Sequence, residues 1–79
     1  MFINKAANGT NNLCGKNIFT LRKNLGISQR ELADRLQIQG LDVDKNAIQR
    51  IEAGKRFVTD IELSLIATVF NRPINELIV

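Results

Sequence analysis

Two short stretches fix where helices must begin. Ser28-Gln29-Arg30-Glu31 and Thr59-Asp60-Ile61-Glu62 both follow the S/T-x-x-E capping pattern. In such a box the hydroxyl accepts the amide three residues on, and the glutamate reaches back to the amide of the cap. An aliphatic residue precedes each box, Ile27 or Val58, placed to staple onto Leu32 or Leu63. Each cap stabilises its helix by about 1 kcal/mol and sets the angle of chain entry. No pair of alternating apolar runs flanks a hairpin turn, so the chain is expected to be all-α, with four or five helices.

Apolar spacing places the helices. The first spans about Leu13 to Leu25, with Cys14, Ile18, Leu21 and Leu25 in one stripe and Gly26 as its left-handed stop. The second buries Leu32, Ala33 and Leu36. Gly40 follows it as a further stop, with Leu41 folding back. Val43 is expected to be buried ahead of the Asp44 cap, and the third helix runs to a stop at Gly54. In the fourth, Leu63, Ile66, Ala67 and Phe70 face inward and Asn71 ends the element. Pro73 opens a short fifth helix whose Ile74, Leu77 and Ile78 close the core. Residues 1–12, rich in Asn and without a period, read as a flexible arm, leaving 13–79 as the folded domain. Asn11 or Asn12 is available to cap the first helix.

The residue inventory excludes whole classes of function. Seventy-nine residues allow one small core. There is no histidine, and Cys14 is the only cysteine, so neither a zinc site nor an internal disulfide can be assembled. Cys14 falls on the apolar stripe and reads as a core residue. Ser28 and Ser64 have no base nearby in sequence, which argues against an enzyme, and no cofactor is implied. The N-terminal residues lack the apolar core of a signal peptide, and no run approaches the roughly 20 residues of a membrane span. The expected compartment is the cytoplasm.

Net charge is +3, but its distribution is uneven. Residues 1–30 carry five cations and no anion, residues 31–44 sum to −3, residues 45–56 to +3, and residues 57–79 to −2. The second basic block is the third helix with its following turn. Ile48 and Ile51 share its inner side, while Lys45, Asn46, Gln49 and Arg50 lie on or flank the other. Long amide side chains mixed with cations suit a surface that meets base edges and phosphates together. Eight residues at about 1.5 Å each give a rod of about 12 Å, comparable to the width of a major groove.

Leu21-Arg22, Gly26-Ile27-Ser28-Gln29, Leu32-Ala33, Ile48, Glu52-x-Gly54-x-Arg56, Leu63, Ile66-Ala67 and Leu77, in this order, resemble the Cro/phage-repressor (XRE-type) helix-turn-helix family across residues 13–78. The resemblance implies a compact, lambda-repressor-like domain of four to five helices, its third helix laid in the major groove of double-stranded DNA. It implies base reading by Lys45, Asn46, Gln49 and Arg50, and backbone contact by Gln29, Lys55 and Arg56. It also implies a brace between Arg22 and Glu52. Bidentate pairing of Arg50 with guanine, or of Asn46 with adenine, is worth about 1–3 kcal/mol of discrimination.

Two features depart from the family pattern. The connector from Leu36 to Asp44 is about five residues longer than the usual tight turn, and its extra residues are expected to bulge outward while Val43 and Ile48 pack on Leu36. The cap Asp44 suits a helix N-terminus but repels adjacent phosphates.

The function expected is a sequence-specific transcriptional regulator, a repressor, bound as a homodimer to an inverted repeat and answering to no evident small-molecule ligand. The apolar end Ile74, Leu77, Ile78 and Val79 is the candidate dimer surface. The competing class is a protein-interaction module, such as an antitoxin or an antagonist of another regulator. That class places its binding energy in the apolar ends and leaves the third helix idle.

Overall fold

The computed structural model describes residues 9–78, which form four α-helices and a final 3₁₀ turn. They are α1 (Gly15–Leu25), α2 (Gln29–Ile38), α3 (Lys45–Glu52) and α4 (Asp60–Phe70), with the turn at Ile74–Glu76. No strand occurs among the described residues. The core is a single cluster drawn from all four helices. Its largest wholly buried members are Ile18, Leu32, Leu36, Ile48, Ile51, Ile66 and Leu77. α2 and α3 share the broadest contact, α1 packs on α3, and α2 packs on α4.

All four helices end alike. After α1, Ile27 N–H donates to Arg22 O and Gly26 N–H to Lys23 O, the paired bonds of a Schellman turn. The same pattern recurs at Gly40, Gly54 and Asn71. Asn71 is the one non-glycine with positive φ among the described residues, at 54°, a conformation asparagine tolerates better than most side chains.

The capping boxes differ from each other. At α4 the box is complete: Glu62 N–H donates to Thr59 Oγ1 at 3.2 Å, and Thr59 N–H donates to Glu62 Oε1 at 2.9 Å. At α2 only half forms. Ser28 Oγ accepts Glu31 N–H at 3.0 Å, but the Glu31 carboxylate turns forward to Arg35 at 2.8 Å. An exposed cation one turn ahead outcompetes a single backbone amide.

Four expectations are corrected. α1 begins at Gly15, because Asn12 Oδ1 accepts Gly15 N–H at 2.8 Å and leaves Leu13 outside the helix and exposed. Leu25 is half exposed, since the chain turns at Gly26 and Ile27 enters the core from beyond the turn. The fifth helix is a three-residue 3₁₀ turn preceded by Pro73 in an extended conformation. It delivers only Leu77 to the core, and Ile74 and Ile78 stay outside. Asn11 and Asn12, expected as part of a flexible arm, are hydrogen-bonded to the end of α3 and the turn after it; residues 1–8 of that expected arm lie outside the described residues.

The long connector behaves as expected. Leu36, Val43 and Ile48 are all buried in the one core cluster, while Gln39, Gly40 and Asp42 are exposed. Three bonds pin the bulge: Leu41 N–H to Leu36 O, Val43 N–H to Leu41 O, and Gln37 Nε2 to Val43 O at 2.7 Å. The extra residues therefore leave the approach to α3 buried and fixed.

Candidate nucleic-acid interface

α3 starts where Asp44 Oδ1 accepts Ala47 N–H at 2.8 Å. Ile48 and Ile51 are each 1% exposed, which sets the rotation of the helix about its axis. Lys45, Asn46, Gln49 and Arg50 are consequently all exposed, and none of these side chains is hydrogen-bonded or ion-paired to another described residue. Their donors and acceptors face solvent. The polar surface foreseen from the sequence is present and uncommitted.

The same helix is anchored at its far end by charge. Arg22 Nε donates to Glu52 Oε2 at 2.6 Å and Arg22 Nη2 to Glu52 Oε1 at 3.1 Å. Arg22 Nη1 donates to Ile27 O at 2.9 Å, so the guanidinium also holds the turn that leads into α2. Its Cζ lies 5.4 Å from the centroid of the Phe19 ring, an attraction that helps to offset its desolvation. With side chains 6% and 5% exposed, the pair is architecture rather than a contact surface.

Gln29 has a role the sequence did not disclose. Its Nε2 donates to Glu52 Oε1 at 3.0 Å, joining α2 to the Arg22–Glu52 pair. The amide still has a second N–H and its oxygen, and the side chain is partly exposed beside an open cleft. Arg22, Lys23, Ser28, Gln29, Arg30 and Lys45 line that cleft. Lys23, Arg30 and Lys45 are exposed, and Ser28, Gln29 and Arg30 at the start of α2 lie at the same cleft. Lys23 and Arg30 were not singled out from sequence. The signal for them was the cation-rich, anion-free N-terminal block.

Lys55 and Arg56 differ. Lys55 is exposed, and its N–H donates to Arg50 O at 2.9 Å as part of the helix stop. Arg56, expected beside it as a second backbone clamp, is committed within the fold. Its Nη1 and Nη2 donate to the two oxygens of Glu62 at 3.2 and 2.9 Å, and Nη1 also reaches Phe57 O. The fork raises the Arg56 pKa and holds the Glu62 carboxyl below the usual carboxylate range, in each case chiefly through the hydrogen bonds between them. Glu62 is thus bonded by the α4 cap and by Arg56 at once. Arg56 fixes the loop between α3 and α4.

No group of three or more His, Cys, Asp or Glu among the described residues is arranged to hold a metal ion, and no helix among them is long and apolar enough to cross a membrane.

Comparison with known proteins agrees with this geometry. A helix-turn-helix family model matches residues 18–77, well over half of the chain. No curated protein matches. Among solved structures, the chain is similar to the restriction-modification controller protein C.AhdI from Aeromonas hydrophila. The identity is 27% and the TM-score 0.69, over 80% of this chain and 84% of that one. It is also similar in fold to the DNA-binding domain of BldD, with 22% identity and a TM-score of 0.74 over 94% of this chain and all of that one.

Proposed function

The chain belongs to the XRE-type helix-turn-helix family, and on that premise we propose that it is a sequence-specific DNA-binding transcriptional regulator. The observation that carries the reading is the division of α3. Two isoleucines lock one side into the core, and four polar or cationic side chains stand unpartnered on the other. A helix used only for packing also turns a polar side to solvent, but here that side joins cations to long amides, the groups that meet phosphates and base edges together, on a chain of this family. Lys45, Asn46, Gln49 and Arg50 read base edges, Lys55 and Gln29 touch phosphates, and Arg56 supports the Lys55 loop. The basic cleft beside Gln29 lets Lys23 and Arg30 add to phosphate attraction.

The finer reading is a repressor that acts as a homodimer on an inverted repeat, its half-sites about one helical turn apart. The relative C.AhdI is a controller protein of a restriction-modification system, and a controlling role of that kind suits a domain of this size. A protein-interaction module on the same fold leaves the α3 surface without employment, and for that reason is the weaker reading. Selection from random duplexes, followed by binding of the winner across a salt series, tests the proposal. An inverted-repeat site is expected, with affinity falling steeply as salt rises, because phosphate contacts release counterions. Failure to enrich any sequence above random DNA would overturn it.

A further inference from the structure

Residues 10–12 precede the segment matched by the family model, yet they grip the loop that follows α3. Asn11 binds two consecutive carbonyls: its backbone N–H donates to Gly54 O at 2.8 Å and its Nδ2 to Lys55 O at 2.9 Å. Asn12 Nδ2 donates to Arg56 O at 2.8 Å and to Ile51 O at 3.1 Å. Thr10 lies so close to Gly54 that a Cβ there would come within 2.8 Å of its methyl carbon. Two adjacent asparagines therefore satisfy four carbonyls at the C-terminal end of the proposed recognition helix.

The consequence falls on Lys55. Its own N–H is bonded to Arg50 O, the carbonyl before it is held by Asn11 N–H, and its own carbonyl is held by Asn11 Nδ2. Both peptide planes flanking its Cα are fixed, and only the side chain remains free to move. A cation on a fixed backbone loses less entropy when it meets a phosphate than one on a loose loop.

We propose that Asn11 and Asn12 are positioning residues for DNA binding: they hold the Lys55 loop in place for its phosphate contact while touching no DNA themselves. The proposal rests on the DNA reading given above. Asn11 is the residue to change, because Asn12 also caps α1 through Gly15 and its loss disturbs the fold.

The experiment is a binding cycle on the selected duplex with the unaltered chain, Asn11→Ala, Lys55→Ala and the double variant. A salt series and amide hydrogen exchange on the free proteins accompany it. Asn11→Ala is expected to weaken binding about threefold to tenfold and to make the salt dependence shallower by about one phosphate contact, with base preference unchanged. In the Lys55→Ala background it is expected to cost nothing more. Without DNA, the Lys55 amide should exchange faster in Asn11→Ala while amides of α4 keep their protection. Equal losses in the two backgrounds, or an unchanged Lys55 amide, would overturn the positioning role even though the unaltered chain binds. No binding by the unaltered chain would overturn the DNA reading, and this proposal with it.

Discussion

Arg22 in α1 and Glu52, the last residue of α3, face each other through two hydrogen bonds of 2.6 and 3.1 Å, with only about a twentieth of either side chain exposed. The pair sets where the end of α3 stands relative to α1, and through Ile27 O and Gln29 it also sets the start of α2. Removing one partner strands the other charge away from water, which costs about 3–5 kcal/mol for buried pairs. Arg22→Ala and Glu52→Ala are each expected to lower unfolding stability by about that amount, and the double variant by clearly less than their sum. Urea unfolding of the three variants checks this. Additive losses would show that the two charges act independently.

Gly15 permits the other close approach between α1 and α3. A Cβ added there would overlap the Ile51 carbonyl oxygen and stand 3.1 Å from Glu52 O. Backbone cannot swing aside as a flexible side chain can, so Gly15→Ala is expected to destabilise by about 1–3 kcal/mol and to shift the amide resonances of residues 51–54. Gly26→Ala is the contrast. Its φ is +72° and nothing lies within 4 Å, so its cost is conformational, about 1–2 kcal/mol, and confined to the α1 turn. Spectra that change alike in both variants would contradict the distinction.

These two glycines show what a linear sequence discloses. Gly26 could be read as a helix stop because its job depends on residues three to five positions away, and the caps at Ser28, Asp44 and Thr59 were legible for the same reason. The rotation of α3 was legible from Ile48 and Ile51 alone. Asn11 or Asn12 could be read as a cap for the first helix, and Asn12 does accept Gly15 N–H, but these two and Gly15 also meet partners some 40 positions along the chain, which no local pattern marks. The reassignment of Arg56 arises from a choice of partner: Glu62 was visible as a capping residue, but not that its oxygens also bind a guanidinium. Ile74 and Ile78 failed as core residues because spacing shows which side is apolar, not where the neighbouring helix ends.

Acid should loosen the loop between α3 and α4. The Glu62 carboxyl is held below its ordinary value mainly by the Arg56 fork, against the opposing effect of partial burial. A group that binds its proton more weakly in the folded chain adds stability above its unfolded pKa. That stability is lost as pH falls from about 4.3 through the lower folded value. Thermal melts over this range are expected to show a fall in stability that is smaller in Glu62→Gln. An unchanged acid limb in that variant would assign the loss to other carboxylates.

Cys14 should behave in the opposite direction. Burial is the main cause that pushes its thiol from 9.0 up to about 11, with its backbone hydrogen bond acting against the rise. The folded chain holds this proton more tightly, so the contribution is complete below about pH 9 and is lost as pH rises through 11. Near neutral pH the thiol is both covered and protonated, and the reactive thiolate is scarce. Alkylation of the native protein at pH 8 is expected to proceed only at the rate of unfolding, with stability declining from pH 9 upward. Rapid labelling without unfolding would show that the α1 entry opens by itself.

The α3 surface and the Lys55 loop should fail in different ways. Asn46 and Arg50 carry groups matched to adenine and guanine edges, so Asn46→Ala or Arg50→Ala is expected to relax preference at individual bases by about 1–3 kcal/mol while most of the salt dependence survives. Lys55 offers a point charge without a planar fork, suited to a phosphate and blind to the base beside it. Lys55→Ala should therefore weaken all duplexes alike and reduce the salt slope by about one. Competition binding with a set of single-base operator variants separates the two behaviours. Should all three substitutions weaken every duplex equally, α3 would be a backbone clamp and the readers would have to be sought elsewhere, first at Lys23 and Arg30 around the cleft at the start of α2.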